Sequence, residues 1–564
     1  MTTTPESLPA RRRIVVVGGV AGGMSAAARA RRLDERAEIT VLEQGDYVSF
    51  ANCGLPYHLS GEIGQRAALL LHTPATLRET LALDVRTGSR ATAIDRAARE
   101  VTVAGPEGEY RLGYDALLLA PGATAVRPPI DGLDLPGVHT LRTIPDLDAV
   151  LERVAALPEG GRAVVIGAGF IGLEAVEALT ARGLTVDLVE LADHVLPPLD
   201  ADLAPLLAEE LTAHGVGLHL GTAASAVTPV GDTLEVTLTS GTRLPADLVL
   251  VNVGVRPASD LARDAGLDLG PTGAIRVDAE HRTSDPAIWA VGDAIEVAQQ
   301  GGRTGPVPLA GPANRQGRRA AESMTGARIT PQAPVLGTAI VRVFGLTAAV
   351  TGASRATLER AGVEHEAIRT HPGHHAGYFP GAEQIHLLAT FAPDGTLLGA
   401  QAVGRAGVDK RIDVLATALR AGMTADDLAE LELAYAPPFG SAKDPVNMLG
   451  FVAQNVLAGL MPQWHPAQVD SAQSDGLILD VRSPGEFARG HLKGAHNIAH
   501  TEIRERLEEV RVAAAGRPVF VHCASGVRSY LATRVLLAAG FDARNLSGGW
   551  ITLSTVRPDV VITD

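Results

Sequence analysis

Residues 14 to 23 of the chain are IVVVGGVAGG, and residues 163 to 172 are AVVIGAGFIG. Each stretch is an apolar run, then a glycine-rich turn, and each leads into an alanine-rich segment typical of a helix. The first unit continues to a strand, Glu38–Leu42, followed by Glu43, and the second repeats this plan with Val186–Val189 and Glu190. This internal duplication of a βαβ unit predicts two Rossmann-like dinucleotide-binding domains of the α/β class.

The composition limits the classes of protein to which the chain can belong. Its 564 residues exceed what one hydrophobic core accommodates, so we expect several domains. The 64 acidic residues outnumber the 49 Lys and Arg, and the net charge of −15 disfavours nucleic-acid and anionic-membrane partners. No apolar run approaches the roughly 20 residues of a membrane helix, so we expect a cytoplasmic protein.

Only two cysteines occur, Cys53 and Cys523. This number excludes a structural disulfide framework and a multi-cysteine metal site, and we expect no metal. The positions of the two thiols therefore point to chemistry.

Sequence patterns divide the remainder of the chain. From about Thr338 strands and loops alternate, and helices follow from about Asp409 to Gly459, which predicts an α+β domain. Residues 461–475 (MPQWHPAQVDSAQSD) are polar and aperiodic, as in a linker. The predicted segments are 11–146 and 271–335 for the first dinucleotide domain, 147–270 for the second, 336–460 for the α+β domain, and 476–564 for a final α/β domain.

The second glycine-rich turn fits the GxGxxG pattern completely, with Glu190 about twenty residues on. Glycines there let the backbone approach a pyrophosphate at a helix N-terminus, and the acidic residue binds a ribose hydroxyl. A carboxylate at Glu190 would repel the extra phosphate of NADPH, so NADH is the preferred nucleotide, while a purely structural turn stays the alternative. The predicted contacts are Gly167, Gly169, Phe170, Ile171 and Gly172.

The first turn departs from GxGxxG by a shifted glycine but has Glu43 in the ribose position. Residues 283–293 (TSDPAIWAVGD) deliver Asp293 at a glycine turn, which resembles the second flavin fingerprint of two-dinucleotide-binding flavoproteins. The resemblance implies an FAD site, with Asp293 bound to the ribityl chain and crossover turns at Ala120 and Gly254. It also implies contacts from Gly18, Val20, Ala21, Gly22 and Ala310.

Cys53 lies in residues 47–58, YVSFANCGLPYH, where a helix beginning near the cysteine would favour the reactive thiolate. The dithiol pattern of glutathione-reductase relatives needs a second cysteine five positions later, but this chain has His58. A single cysteine beside a reduced flavin can cycle through a mixed disulfide, a persulfide or a sulfenic acid. Three substrate classes therefore remain open.

The segment from Arg12 to Gly61 resembles coenzyme A disulfide reductases and rhodanese-fused NADH-dependent persulfide reductases, and the similarity spans nearly the whole chain. Related NADH peroxidases and oxidases have a histidine where this sequence has Ala21, which disfavours peroxide or oxygen as substrate. The resemblance implies a homodimer and coenzyme A as a bound ligand or substrate. The implied coenzyme A contacts are Arg29, Arg32, Ser49, Asn52, Asn314 and Arg318. For Arg29 and Arg32 the alternative is that they are ordinary solvated helix residues.

Two tyrosines of the α+β domain match tyrosines that family members present across the dimer interface. They are Tyr378, in GYFPG, and Tyr435, in AYAPP. The resemblance implies that they donate hydroxyl protons beside the substrate sulfur, whereas either residue alone is typical of packing.

Cys523 ends a buried-strand pattern in residues 517–529, RPVFVHCASGVRS, and a short loop then enters a helix. Converging N–H groups in such a loop stabilise a thiolate or a persulfide, and Arg528 adds positive charge. Residues 478–487, 490–495 and 547–550 match rhodanese signatures in order, so the resemblance implies an α/β rhodanese domain. Arg528 follows Cys523 by five positions, one fewer than in related phosphatases, and this shorter loop suits sulfur transfer.

These features predict that NADH reduces FAD, and that Cys53 then attacks a coenzyme A persulfide, a polysulfide or a disulfide. Cys523 would bring sulfane sulfur to coenzyme A or toward Cys53. One alternative is a plain coenzyme A disulfide reductase with a regulatory rhodanese domain. Another is a sulfur-carrier or redox-sensing protein with little NADH turnover.

Overall fold

A computed structural model describes residues 11–327 and 330–563. Residues 328 and 329 of the predicted segment 271–335, and the predicted end at residue 564, lie outside the described residues. The chain forms two compact units. The first unit ends at Leu191 and resumes over Thr222–Gly337, and the second contains Ala192–Gly221 and the chain from Thr338.

The first sheet of the first unit is parallel and surrounds the predicted strand Arg13–Val17. Val16 and Val41 on its two central strands are fully buried. Helices Ala21–Leu33 and Ala310–Thr325 pack against each other, and their buried residues share one hydrophobic core with the strands of this sheet. Parallel sheets are normally covered by helices in this way. In spatial order the strands are Ile288–Ala290, Ala116–Leu119, Arg13–Val17, Glu38–Leu42 and Asp84–Arg86.

A second parallel arrangement in the same unit repeats this plan and confirms the duplication. Ile166 pairs with Val189 as Val17 pairs with Leu42, and the helix Phe170–Ala181 follows the turn. Within this second sheet, the strands that belong to the first unit lie in the order Thr185–Val189, Arg162–Ile166, Leu248–Val251 and Val138–His139.

Smaller elements complete the first unit. Antiparallel sheets are formed by Arg90–Asp95, Glu100–Gly105 and Gly108–Gly113, and by Ala224–Val230, Thr233–Leu238 and Arg243–Ala246. Ile275–Arg276, Ile295–Ala298 and Thr304–Gly305 form a third small sheet. The remaining α-helices are Leu55–Ser60, Pro74–Leu81, Ile144–Ala156 and Asp260–Asp264.

The second unit contains the predicted α+β domain. Its antiparallel strands lie in the order Ala339–Val343, Leu346–Gly352, Leu397–Gly404, Ile385–Phe391 and Glu366–Thr370. Its helices are Arg355–Ala361, Val408–Ala421, Ala425–Ala429 and Pro445–Leu457. Segment 192–221, with helix Ala204–Ala213, was predicted inside domain 147–270 but belongs to the second unit. Buried Glu210 accounts for part of this difference, since it pairs with Arg405 at 2.7 Å.

The C-terminal domain has a parallel sheet, as expected for an α/β rhodanese domain. The prediction that 461–475 is a linker is wrong, because Trp464 is 1% exposed and its strand pairs with the sheet, while Val469–Asp475 is a helix. The strands are Gln463–Trp464, Ala543–Leu546, Val519–His522, Leu477–Asp480 and His496–Asn497, with His491–Leu492 and Val561–Ile562 as a separate pair. The other helices are Pro484–Ala488, Leu507–Ala514, Val527–Ala538 and Gly549–Val556.

Nowhere in the described residues does a helix combine the length and the hydropathy needed to span a bilayer.

Candidate active site

The two glycine turns have the same backbone geometry. Gly18 has φ of 104° and Gly167 has φ of 103°, a left-handed conformation that glycine adopts without strain. A Cβ on Gly23 would lie 1.9 Å from the Gly18 carbonyl oxygen, and one on Gly172 would lie 1.9 Å from that of Gly167. Each helix therefore approaches its turn as closely as the backbone permits.

The same comparison shows a packing role for one residue that was predicted to contact the cofactor. A Cβ on Gly22 would lie 2.9 Å from the Val291 side chain, and Gly317 packs against the Gly22 carbonyl. Gly22 thus serves the packing of helix Ala21–Leu33 on helix Ala310–Thr325. Gly23 is the true counterpart of Gly172, and the equal five-residue spacing in both turns was the available sequence signal.

Both turns fit a dinucleotide pyrophosphate. The helices that begin at Ala21 and Phe170 have neither a side-chain cap nor an acidic residue in the first turn. Their first N–H groups and positive dipole ends are thereby suited to an anion. Nothing lies within 4 Å of a Cβ placed on Gly169, so this side of the second turn is open to a ligand, and Ile171 is 38% exposed.

The two predicted ribose carboxylates lie beside these turns. Glu43 accepts hydrogen bonds from the backbone N–H groups of Gly19 at 2.9 Å and Gly45 at 2.8 Å. Glu190 accepts one from the Ala168 N–H at 2.7 Å. Each carboxylate is thus fixed at the end of its strand, where a nucleotide ribose would lie.

The predicted flavin-tail elements converge in the first unit. Asp293 lies in the 3₁₀ helix Gly292–Ala294, 3.4 Å from Arg142, and burial raises the pKa of its carboxyl group. The crossover strands Ala123–Ala125 and Val255–Pro257 pair with each other, which brings the turns at Ala120 and Gly254 together. Ala310 is the first residue of the helix that packs beside the first glycine turn.

Cys53 lies in the 3₁₀ helix Asn52–Gly54, which continues into helix Leu55–Ser60. The residue is exposed and free. The Asn52 side-chain oxygen accepts a hydrogen bond from the Cys53 N–H at 3.0 Å and lies 3.7 Å from its sulfur. Ser49, also predicted near the substrate thiol, has φ of 52° and donates its N–H to the Gly19 carbonyl. The loop therefore connects the cysteine to the first glycine turn.

Other groups oppose the effect that a helix start is expected to have on the Cys53 thiolate. Partial burial of the thiol raises the pKa of Cys53, and the negative charges of Glu174 and Asp293 raise it further. Glu174, which sequence reasoning missed, lies on helix Phe170–Ala181 and accepts a hydrogen bond from the Tyr57 hydroxyl at 3.1 Å. An acidic residue two positions after the GxGxxG turn was the available signal. The helix Leu55–Ser60 also packs on the helix that follows the second glycine turn.

We expect Glu174→Gln to lower the pH at which Cys53 becomes reactive, because the substitution removes a negative charge that opposes the thiolate. The rate of iodoacetamide labelling at Cys53, measured against pH in a Cys523→Ser background, checks this. Glu177→Gln on the same helix is the matched control. An unchanged profile for Glu174→Gln, or an equal shift for both variants, would contradict the assignment.

Four of the predicted coenzyme A contacts lie on helices Ala21–Leu33 and Ala310–Thr325. Arg29 pairs with Glu322 at 2.7 Å, and Arg318 lies 3.5 Å from the same carboxylate. Asn314 accepts a hydrogen bond from the Ser25 hydroxyl at 2.8 Å. Arg32 is exposed at the end of its helix. The two helices therefore group Arg29, Asn314 and Arg318, with part of their positive charge balanced by Glu322.

Tyr378 and Tyr435 lie in the second unit with their hydroxyl groups 2.9 Å apart. Tyr378 is 75% exposed and Tyr435 47% exposed, and exposed Phe379 and Phe439 flank them in sequence. The hydrogen bond to Tyr435 raises the pKa of Tyr378, so its hydroxyl stays protonated at neutral pH. The structure thus joins the two predicted tyrosines into one exposed hydroxyl pair.

Cys523 is 1% exposed at the end of strand Val519–His522. Its sulfur accepts hydrogen bonds from the Gly526 N–H and from the Ser529 hydroxyl, both at 3.2 Å. Two donors therefore reach the sulfur: one loop N–H, and the hydroxyl of Ser529, which sequence reasoning did not identify.

Arg528 interacts with an acidic partner as well as with Cys523. Both of its terminal nitrogens bind Glu486, each at 2.7 Å, and these hydrogen bonds hold the pKa of Glu486 well below its usual range. Cys523 also contributes to the raised pKa of Arg528, so the guanidinium interacts with both groups.

Behind this loop, Asp480 and Arg482 form a buried ion pair at 2.6 Å, and Arg482 also donates to the Gly490 carbonyl at 2.7 Å. His522 is completely buried, and burial lowers its pKa to about 4, so the ring is neutral at physiological pH. These residues support the loop and do not reach the sulfur.

Comparisons with known proteins agree with this geometry. Residues 12–317 match the pyridine nucleotide-disulphide oxidoreductase family, residues 338–445 its dimerisation domain, and residues 461–552 a rhodanese-like domain. A coenzyme A disulfide reductase from Staphylococcus haemolyticus is 36% identical over 449 residues, 79% of this chain and 100% of that protein.

Two solved structures cover nearly the entire chain. Reduced Bacillus anthracis CoADR-RHD is 41% identical, with a TM-score of 0.95 over 98% of this chain and 99% of its own. A NAD-dependent persulfide reductase from A. fulgidus is 39% identical, with a TM-score of 0.89 over 96% and 99%. Enzymes of this family use FAD and NADH. The chain belongs to the pyridine nucleotide-disulphide oxidoreductase family, as an oxidoreductase that also carries a C-terminal rhodanese-like domain.

Proposed function

We propose that this chain is an FAD-dependent NADH:persulfide reductase that accepts coenzyme A persulfide, polysulfide and coenzyme A disulfide, coupled to a rhodanese sulfurtransferase. The observation that carries the proposal is the contrast between the two free cysteines. Cys53 is exposed beside Asn52 with His58 in place of a second thiol, whereas Cys523 is buried beside two hydrogen-bond donors. One environment suits electron transfer and the other suits sulfur transport.

At the first site, the Cys53 thiolate attacks the outer sulfur of a persulfide, so that a new S–S bond forms on Cys53 and the coenzyme A thiolate leaves. Bound FAD would supply two electrons taken from NADH as hydride. Those electrons break the S–S bond on Cys53 and yield hydrosulfide and the free thiolate. The sum is NADH plus coenzyme A persulfide giving NAD⁺, coenzyme A and HS⁻, which balances in atoms and charge.

Several of this chain's own residues have roles in that cycle. Gly18, Val20, Ala21 and Glu43 would hold the FAD and Asp293 its ribityl chain, while Gly167, Gly169 and Glu190 would hold NADH. Asn52 orients Cys53, and the negative charge of Glu174 opposes its thiolate. Arg29, Arg318 and Asn314 are the side chains placed for coenzyme A phosphates and polar groups. Arg32 and Ser49 are further proposed contacts of coenzyme A. The further proposed contacts of FAD are Gly22, Ala120, Gly254 and Ala310, and those of NADH are Phe170, Ile171 and Gly172.

We extend the proposal to a homodimer in which Tyr378 and Tyr435 of one protomer protonate the thiolate that leaves at Cys53 of the other. Their exposure and their mutual hydrogen bond support a proton-donor role at a surface. A cytoplasmic location completes the proposal, since an exposed single thiol such as Cys53 is kept reduced there.

At the second site, Cys523 attacks the sulfane sulfur of thiosulfate, so that a persulfide forms on Cys523 and sulfite leaves. The Gly526 N–H and the Ser529 hydroxyl stabilise the negative charge of that persulfide. An acceptor thiol then removes the terminal sulfur. Coenzyme A as acceptor would produce the substrate of the first site.

Substrate preference separates the proposal from a plain coenzyme A disulfide reductase, which the Staphylococcus relative is. We expect kcat/KM with NADH to be at least about tenfold higher for coenzyme A persulfide than for coenzyme A disulfide, a difference of about 1.4 kcal/mol in transition-state stabilisation. Anaerobic assays that quantify NADH and released sulfide check this. A preference for the disulfide would favour the reductase with a regulatory rhodanese domain, and negligible turnover with both would favour a sulfur carrier or sensor.

A further inference from the structure

Three distant parts of the second unit meet at one buried guanidinium. Arg369, on the edge strand Glu366–Thr370, is 4% exposed and donates from Nε to Asp202 at 2.6 Å. The same side chain donates from Nη1 to the Ser547 hydroxyl at 3.1 Å. Asp202 and Ser547 are 8% and 1% exposed. The planar guanidinium thus joins segment 192–221, the dimerisation domain and the rhodanese-like domain in one fixed geometry.

Ser547 is the first residue after strand Ala543–Leu546, and it leads through Gly548 into the helix Gly549–Val556. The first turn of that helix binds the Cys523 loop from outside. The Trp550 N–H donates to the Cys523 carbonyl at 2.7 Å, and the Ile551 N–H donates to the Ala524 carbonyl at 2.9 Å. This helix start therefore holds two successive peptide groups of the loop.

Those two hydrogen bonds fix the orientation of two peptide groups in the loop. The described peptide bonds are all trans, and a trans peptide directs its N–H opposite to its carbonyl. With the Cys523 and Ala524 carbonyls bound to the helix, the N–H groups of Ala524 and Ser525 point away from that helix. The next N–H along the chain, that of Gly526, donates to the sulfur at 3.2 Å.

The spacing between Arg369 and the loop is filled by two glycines. A Cβ on Gly548 would lie 3.2 Å from the Arg369 Cβ, and a Cβ on Gly549 would lie 2.7 Å from the Ala524 carbonyl oxygen. Close packing of this kind transmits a displacement instead of absorbing it. His371 adds a second support, since its Nε2 lies 2.8 Å from the Thr552 hydroxyl on the same helix.

We propose that Arg369 is a positioning residue for sulfur transfer at Cys523, acting through Ser547 and the start of the helix Gly549–Val556. The dimerisation domain thereby sets the alignment of the sulfur-binding amides in the rhodanese-like domain. This inference rests on the proposed role of Cys523 as the sulfur carrier.

The test compares three single substitutions in the full-length holoenzyme. Arg369→Lys keeps the positive charge beside Asp202 but lacks the fork that reaches Ser547, and Ser547→Ala removes only the hydroxyl. Arg355→Lys is the matched control, because Arg355 also binds Asp202, at 3.1 Å, through a guanidinium. Thiosulfate-to-cyanide sulfur transfer gives kcat and KM. The rate of Cys523 alkylation by iodoacetamide, in a Cys53→Ser background, gives thiol reactivity.

We expect Arg369→Lys and Ser547→Ala each to lower kcat and the alkylation rate about tenfold with KM for thiosulfate within about twofold. Misalignment of the donors should cost less than the ~10²-fold loss that follows outright deletion of an oxyanion donor. Arg355→Lys should leave all three quantities within about twofold. If Arg369→Lys does not fold, Ser547→Ala decides the question alone.

Parent-like kcat and alkylation in both variants would overturn the inference, and so would an equal loss in Arg355→Lys, which would show a general dependence on the Asp202 cluster. A wild-type protein unable to transfer sulfur would contradict the proposed function of Cys523. In that case the alkylation rates still decide whether Arg369 positions the loop, so the two failures are distinguishable.

Discussion

The Cys53→Ser variant is expected to lose NADH-dependent reduction of coenzyme A persulfide and disulfide by at least about 10³-fold in kcat. A serine hydroxyl neither ionises at neutral pH nor forms a bond to sulfur that two electrons can cleave. No second thiol can substitute, since position 58 is a histidine and Cys523 is buried in a loop of its own. Anaerobic NADH oxidation with quantified sulfide release measures the effect.

The control for this variant is the other activity of the same molecule. Cys53→Ser should keep its thiosulfate sulfurtransferase rate within about twofold, since its Cys523 site is unaltered, and its flavin content should match the parent. His58→Ala is a matched substitution in the same helix that leaves the thiol in place and should retain measurable turnover. Persulfide reduction by Cys53→Ser at the parent rate would contradict the mechanism.

The second large effect is expected from Cys523→Ser, which should lower kcat for sulfur transfer from thiosulfate by at least about 10³-fold. The Gly526 and Ser529 donors would remain, but no atom between them could accept a sulfane sulfur. Reduction of added coenzyme A persulfide should stay within about twofold of the parent rate, because that substrate reaches Cys53 without prior transfer. Coupled assays of both reactions on one preparation measure the two effects.

Ser525→Ala, in the same loop, is the matched control for Cys523→Ser, because it preserves the thiol and the backbone donors. It should keep most of the transferase activity. Loss of coenzyme A persulfide reduction in Cys523→Ser would show that sulfur must pass through Cys523 first, which would contradict independent operation of the two sites.

The elements that sequence patterns predict well are those decided locally. The strands Arg13–Val17 and Glu38–Leu42 follow from apolar runs between turn residues, and the second turn follows from its glycines and Glu190. The packing role of Gly22 is not visible in the glycine pattern, because it depends on contact with Gly317, which is far away in the sequence. The polar segment 461–475 hides a strand, since a single buried tryptophan, Trp464, anchors it.

Features that depend on long-range pairing could not be obtained from the sequence. The position of Glu174 after the second glycine turn is visible in the sequence, but its effect on Cys53 is not, because their separation in the chain is closed only by helix packing. The pairing of Arg528 with Glu486 and the link from Arg369 to Ser547 likewise join residues that are far apart in sequence. Both pairs of residues come together only in the folded second unit.

The central claim is that Cys53 receives sulfur from the substrate and electrons from NADH. Its most direct test is peptide-resolved mass spectrometry of oxidised protein incubated anaerobically with coenzyme A persulfide, before and after one equivalent of NADH. We predict one additional sulfur on the peptide containing Cys53, lost on addition of NADH with release of an equal amount of sulfide. A sulfur adduct that persists on Cys53 while NADH is consumed, or NADH consumption with no adduct on Cys53, would contradict the claim.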